Sequence, residues 1–298
     1  MNFKNVTVAG SGVLGYQIAF QTAFHGFKVT VYDINDEVLD KAKAKFDRLS
    51  KAYIHDLQAT DEQLKATFEN LSYCSDLAEA VKDADLLIEA VPENPKIKIS
   101  FYEKLAVVAP EKTVFATNSS TLLPSQFAAA TQRPEKFVAL HFANEIWKHN
   151  TAEIMGHPGT NEQVFNEVVD FAKAIGMIAL PLYKEQPGYI LNSLLVPLLG
   201  AATNLLVNGV SDVKTIDKTW MVATGAPVGP FGILDVVGIT TAYNINKMAA
   251  DKTQDPIKIK TVAFLKENFI DKGKLGVATG EGFYKYPDPA YKDKDFLK

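Results

Sequence analysis

Val6-Thr7-Val8-Ala9-Gly10-Ser11-Gly12-Val13-Leu14-Gly15 carries an apolar strand-like run straight into a GxGxxG turn, and a helical pattern to about Gly26 follows. Glycines are common enough that GxGxxG alone decides little. Its placement between strand and helix gives each glycine its own role. Gly10 makes the tight turn, Gly12 lets backbone approach a pyrophosphate, and Gly15 lets helix and strand pack closely. The helix start at Val13 and Leu14 offers free N–H groups and the positive end of a dipole to phosphates. Asp33 closes the next strand, VTVYD, eighteen residues after Gly15. A carboxylate there accepts from the adenosine ribose hydroxyls and repels a 2′-phosphate. Ile34 and Asn35 bring no cation to offset it, so NAD is expected over NADP. A flavin site shares this fingerprint, and so does a strand-to-helix turn that binds nothing.

Outward from that turn, short β-branched runs alternate with longer helical patterns as far as about Pro181: KVTVYD, DLLIEAV, TVFATN, KFVALHF and MIALPL, with a helix over Lys98 to Val108 among them. Such alternation means right-handed crossovers and a mostly parallel sheet covered on both faces. Beyond Pro187-Gly188 the pattern changes, and the segments 189–208, 212–224, 235–250 and 256–271 read as helices parted by Gly or Pro. The expected fold class is α/β: a Rossmann-type domain over 1–185, then an all-helical domain over 186–298.

With 298 residues and 47% hydrophobic content the chain supports packed cores. Lys plus Arg total 31 and Asp plus Glu total 35, a net charge of -4 without a long block of one sign, which argues against nucleic acid as the main partner. One cysteine, Cys74, makes neither an intrachain disulfide nor a thiolate metal site, and fits a reducing compartment. No basic segment precedes an apolar one at the N-terminus, so a cytoplasmic protein is expected. The longest apolar stretch, Leu194 to Val207, is broken by Pro197, Gly200 and Asn204 and falls short of the roughly 20 residues of a spanning helix, so it reads as a core or interface helix, not a membrane anchor.

Three strings stand at the ends of successive expected strands, where open α/β sheets bind ligands: DLLIEAVPENPKIK (85–98), ATNSSTL (116–122) and ALHFAN (139–144). With QPGYILN (186–192), GAPVGPFGILDVVG (225–238) and TGEGFYKY (279–286), they resemble, in order and spacing, the L-3-hydroxyacyl-CoA dehydrogenase family, whose strings are of the types IEAV-EN, SNTSSL, HFFNP, PGFI-NR, PMGPFEL-D and TGEGFY. The resemblance runs from about residue 6 to 286. It implies an NAD-dependent oxidoreductase interconverting a short-chain 3-hydroxyacyl-CoA and its 3-oxoacyl-CoA. It implies His141 as catalytic base, Glu153 as its carboxylate partner, and Ser120 and Asn192 as substrate contacts. Glu93 and Lys98 are implied beside the nicotinamide ribose, Asn118 near the ring, and Asn144 after the catalytic strand. The chemistry suits these residue types: an imidazole takes a hydroxyl proton near neutral pH, and a carboxylate on its other nitrogen fixes the tautomer.

Each residue alone has a plainer reading: His141 as a packing histidine, Ser120 as a helix cap, Asn192 as the partner of a nearby carbonyl, Glu93 and Lys98 as an exposed ion pair. The GAPVGPF and TGEGFY strings read as structural loops with aromatic anchors. The match departs from the family at His141-Phe142-Ala143-Asn144-Glu145, at Ser193 and Ala278, and at Asp56, where the CoA-binding helix is expected to end in a base. Arg48 and Lys51, with His55, remain the candidates for CoA phosphates. A free hydroxy acid or sugar acid as substrate, or a non-catalytic NAD-binding protein, are the competing expectations. The helical domain is expected to close over the nicotinamide and to form a homodimer, because its apolar faces need burial elsewhere.

Overall fold

A computed structural model describes residues 3–298. The described residues divide into two compact units, the first ending at Leu191 and the second spanning 192–298. The division falls six residues beyond the expected boundary at 185, because the first turn of the helix that begins at Tyr189 bonds back into the first unit.

The first unit runs β1 (Asn5–Ala9), α1 (Gly15–Phe24), β2 (Lys28–Tyr32), α2 (Asp36–Leu57), α3 (Asp61–Glu69), β3 (Leu71–Cys74), α4 (Leu77–Val81), β4 (Leu86–Glu89), α5 (Pro95–Val108), β5 (Val114–Thr117), β6 (Phe137–Phe142), β7 (Thr151–Met155), α6 (Glu162–Ala174) and β8 (Ile178–Leu182). Eight strands form one sheet in the order β3-β2-β1-β4-β5-β6-β7-β8. The first six are parallel; β7 pairs antiparallel with β6, and β8 runs parallel to β7. β3 and β7 were not expected from the sequence. Period-two alternation sorts the central strands between two cores: Leu86, Ile88, Val114 and Ala116 face α1, α2 and α6, while Leu87, Phe115 and Phe137 face α4 and α5. That is why β4, β5 and β6 are buried along their whole length.

Side chains of Asn35, Thr60, Asp76, Asn94 and Asn161 cap α2 to α6 in turn. α1 has no side-chain cap, and its start is the glycine turn.

The second unit holds most of α7 (Tyr189–Val207), then α8 (Val213–Thr224), α9 (Pro230–Val237), α10 (Ile239–Thr253) and α11 (Pro256–Asn268). The expected third helix is thus two, parted by Gly238 at φ +92°. α7 has 19 residues and an 18-residue window of mean hydropathy 1.8, so by length and composition it is long and apolar enough to cross a membrane, which corrects the shorter reading from Leu194. Two buried carboxylates organise this unit. Asp217 accepts from the N–H groups of Phe231 and Gly232 and from the Tyr284 hydroxyl. Asp235 accepts from the N–H groups of Phe283 and Tyr284 and from the Tyr286 hydroxyl. A Cβ on Gly282 would lie 2.0 Å from an Asp235 oxygen, so the TGEGFY string needs its glycine to bring Phe283 and Tyr284 into the helical core. Burial pushes both carboxyls above their ordinary range.

Asp235→Ala orphans three buried or half-buried donors and is expected to cost about 2–4 kcal/mol in denaturant titration. Val236→Ala, at an exposed neighbour, is expected to stay within about 0.5 kcal/mol.

Candidate active site

Strand order reverses between β1 and β4, and a groove of about 990 Å³ opens there at the carboxyl ends of the strands. Gly10, Gly12, Val13 and Leu14 line it together with Asp33. Gly10 has φ +99°, and a Cβ on it would lie 2.6 Å from the Ala90 carbonyl oxygen. A Cβ on Gly15 would lie 1.7 Å from the Gly10 oxygen, whereas one on Gly12 would meet nothing within 4 Å. Turn, open face and close packing are thereby assigned to the three glycines in that order, and the uncapped N-terminus of α1 stands behind the open one. These features fit a dinucleotide pyrophosphate. Asp33 is oriented by Ser11, whose N–H and hydroxyl both donate to Oδ2 at 2.7 Å, while Oδ1 accepts from the Ile34 N–H.

His141 and Glu153 are direct cross-strand partners in the antiparallel pair β6 and β7. Nδ1 of His141 lies 3.0 Å from Oε2 of Glu153, with both residues buried. Oε1 of Glu153 accepts from the N–H groups of Ile190 and Leu191 at 2.9 Å each. Burial alone would raise this carboxyl. The His141 imidazole and the Leu191 and Ile190 N–H groups outweigh it and hold Glu153 below its ordinary range. An ionised carboxylate only accepts, so Nδ1 carries the proton and Nε2 presents its lone pair. The Ser120 hydroxyl lies 3.2 Å from that Nε2. The ring of Tyr189 stacks on the imidazole at 4.5 Å between centroids.

Ser120 sits on a loop anchored by Glu93. Oε1 of Glu93 accepts from the Ser119 hydroxyl at 2.6 Å, the Ser120 N–H at 3.1 Å, and the Thr121 N–H and hydroxyl at 3.0 and 2.9 Å. The hydroxyl that accepts from the following turn, at the Leu122 N–H, is that of Ser119. Burial would raise Glu93; the Ser119 hydroxyl, Lys98 and Thr121 bring it below its ordinary range. Lys98 is 1% exposed and donates to Oε1 of Glu89 at 2.6 Å, so the exposed-ion-pair reading fails for it. Glu89, fully buried, also accepts from the Val91 N–H and from the Tyr102 and Thr117 hydroxyls. Glu93, Lys98, Asn118 and Ser120 all line the groove.

Oδ1 of Asn118 accepts from the Phe142 N–H, joining the ends of β5 and β6. Asn144 accepts from Gln17, whose amide also donates to the Val13 carbonyl and accepts from the Glu145 N–H. Gln17 and Glu89 went unassigned in the sequence, although an acid ending an apolar strand and a glutamine on the buried face of α1 were there to be questioned. Asn192 opens the second unit, on α7.

At the far end of α2, Trp147 Nε1 donates to Asp56 at 2.8 Å and Lys148 lies 3.0 Å from it. With His55 they hold this carboxyl well below the usual range. Beside them a groove of about 400 Å³ is lined by Val13, Tyr16, Lys45, Arg48, Ala52 and Trp147. Arg48 reaches the groove, and Lys51 is exposed on the same helix without lining it.

Two family models match the chain: 3-hydroxyacyl-CoA dehydrogenase, NAD binding domain, over residues 5–186, and 3-hydroxyacyl-CoA dehydrogenase, C-terminal domain, over residues 188–286. The human mitochondrial hydroxyacyl-coenzyme A dehydrogenase is 34% identical over 289 residues, 95% of this chain and 91% of that one. A probable 3-hydroxybutyryl-CoA dehydrogenase of Bacillus subtilis (strain 168) is 30% identical over 97% of this chain and 99% of its own length. Among solved structures, a diketoreductase studied for substrate-directed dual catalysis of dicarbonyl compounds superposes with a TM-score of 0.91 and 56% identity, covering 96% of this chain and 100% of that one.

With Asp33 held by Ser11 at the groove wall, NAD is expected to bind at least about tenfold more tightly than NADP, a difference of ~1.4 kcal/mol. Parallel fluorescence titrations check this, and equal affinities would remove Asp33 from cofactor selection.

Proposed function

This chain belongs to the 3-hydroxyacyl-CoA dehydrogenase family and is an NAD-dependent oxidoreductase, and on that premise we propose that it interconverts a short-chain L-3-hydroxyacyl-CoA and the 3-oxoacyl-CoA. The observation that carries the reading is the line Glu153, His141, Ser120: a carboxylate, an imidazole whose Nε2 faces the hydroxyl, and that hydroxyl, in hydrogen-bond sequence beside the dinucleotide groove.

NAD, when bound, supplies the carbon that accepts hydride. His141 Nε2 takes the proton of the substrate hydroxyl as its carbon loses hydride, and returns it in the reverse direction. Glu153 holds Nδ1–H and stabilises the imidazolium that results. Ser120 turns its hydroxyl from His141 to the substrate oxygen and orients it, a role that the resemblance shares with Asn192. Glu93 keeps Ser120 in register with the ring.

A second reading is favoured by the end of α2. The carboxylate of Asp56 stands where the resemblance expects a cation for CoA, and Trp147 and Lys148 already engage it. A free dicarbonyl compound, the class of substrate of the 56% identical diketoreductase, needs no phosphate contact there.

One experiment compares turnover of acetoacetyl-CoA, acetoacetate and 2,4-pentanedione by the wild type, Arg48→Ala/Lys51→Ala and His141→Gln. The CoA reading expects acetoacetyl-CoA to be preferred, and expects the double variant to raise its KM alone, less so at high salt. Faster reduction of a free dicarbonyl, with KM untouched by the double variant, transfers the reading to that class. His141→Gln is expected to lower turnover by roughly 10²-fold or more on the preferred substrate, with NAD affinity kept.

We further propose a homodimer formed through the second unit, supported by the exposure of Leu194, Val222 and Met248, each more than 60% exposed. Sedimentation velocity at micromolar protein is expected to give twice the mass of the chain.

A further inference from the structure

Residues 189–191 reach three parts of the site at once. Backbone N–H groups of Ile190 and Leu191 hold Glu153. The Tyr189 ring lies on the His141 imidazole, 4.5 Å between centroids and 18° between planes. Its hydroxyl donates to the Ser119 carbonyl at 2.7 Å, one residue before Ser120. The side chain is 1% exposed, and burial holds the phenol above its ordinary range, so it stays a donor. The backbone at Tyr189 has φ +56°, directly after Gly188 at φ +79°. A left-handed tyrosine is uncommon and persists where its surroundings fix it.

We propose that Tyr189 is a positioning residue for the transfer step: its ring fixes the plane of the His141 imidazole, and its hydroxyl ties that ring to the loop carrying Ser120. The inference rests on the reading of His141 as the base. Both hydrogen bonds of the imidazole, to Glu153 and Ser120, act at the ring edge, and neither packs against a ring face. A flat partner supplies that restraint. An aromatic face also favours a cation over a neutral ring, so the stack supports the imidazolium formed when the hydroxyl proton is taken. The groups facing the ring are Glu153 from β7, Ser120 from the loop after β5 and Tyr189 from α7, with Glu93 and then Lys98 behind Ser120.

The test uses Tyr189→Phe, Tyr189→Leu and His141→Gln, with the oxo substrate of the panel that the wild type turns over. It records kcat, KM, NADH affinity and the pH profile of kcat/KM, with a thermal melt of each variant. Tyr189→Phe keeps the stack and loses the tether: kcat is expected to fall about fivefold, the equivalent of one neutral hydrogen bond, with KM and the pH profile unmoved. Tyr189→Leu loses both: kcat falls by about tenfold or more, and the alkaline limb of reduction, which needs the protonated base, moves to lower pH by about half a unit. If Tyr189→Leu does not fold, Tyr189→Met carries the same expectation. A Phe variant with wild-type kcat removes the tether, and an aliphatic variant with an unmoved limb removes the stack. Wild-type turnover by His141→Gln would instead retire the reading of His141 itself, so the two failures are told apart.

Discussion

The antiparallel pairing of β6 with β7 is the constraint on which the candidate site depends. Every strand before β7 runs in one direction, and in a purely parallel sheet the neighbour of His141 would come from a crossover many residues away. The reversal sets Glu153 opposite His141 in register, at the short range of a cross-strand pair. A slip of one residue would turn Glu153 to the other face of the sheet. β8, beside β7, covers the strand that would otherwise form an edge, so Glu153 is buried and its charge is answered by named donors rather than by water.

Around that pair the site is assembled from groups that are satisfied before any substrate arrives. Glu93 gathers four donors from one loop, Glu89 gathers four from the turn after β4, from β5 and from α5, and Gln17 joins the glycine turn to the residues after β6. The consequence is preorganisation: the loops after β1, β4, β5 and β6 are held by polar contacts within the protein, buried at Glu89 and partly exposed at Glu93, before the reaction begins.

Much of this was legible in the amino-acid sequence, for physical reasons that differ between elements. β1, β4, β5 and β6 are buried on both faces and read as continuous apolar runs, and the glycine turn is legible because each glycine meets a steric demand. β3, with Ser72 exposed and Tyr73 half-exposed at the sheet edge, lacks such a run, and β7 carries a charge at its centre. Glu153 was therefore placed by resemblance to a family and not by the pattern of its neighbours. Glu89 was hidden by its own strand, because an acid beside Leu87 and Ile88 declares its role only when Lys98, a helical turn into α5, is folded over it. Tyr189 carries a left-handed backbone that no side-chain pattern announces, and the polar pair Asn192-Ser193 interrupts the apolar run, so the sequence reading starts that run at Leu194 where the helix begins at Tyr189.

The clamp of Asp217 and Asp235 on residues 283–286 bears on the order of synthesis. Tyr284, Tyr291 and Phe296 complete the helical core, and α7 to α11 supply its other walls. While the chain is being made, α7 to α11 emerge from the ribosome before the segment that seals them. The apolar faces of the second unit then wait unsealed while the first unit, whose strands are all complete by Leu182, can already fold. The interval between those two events is when the apolar faces of the second unit are most open to non-native contacts.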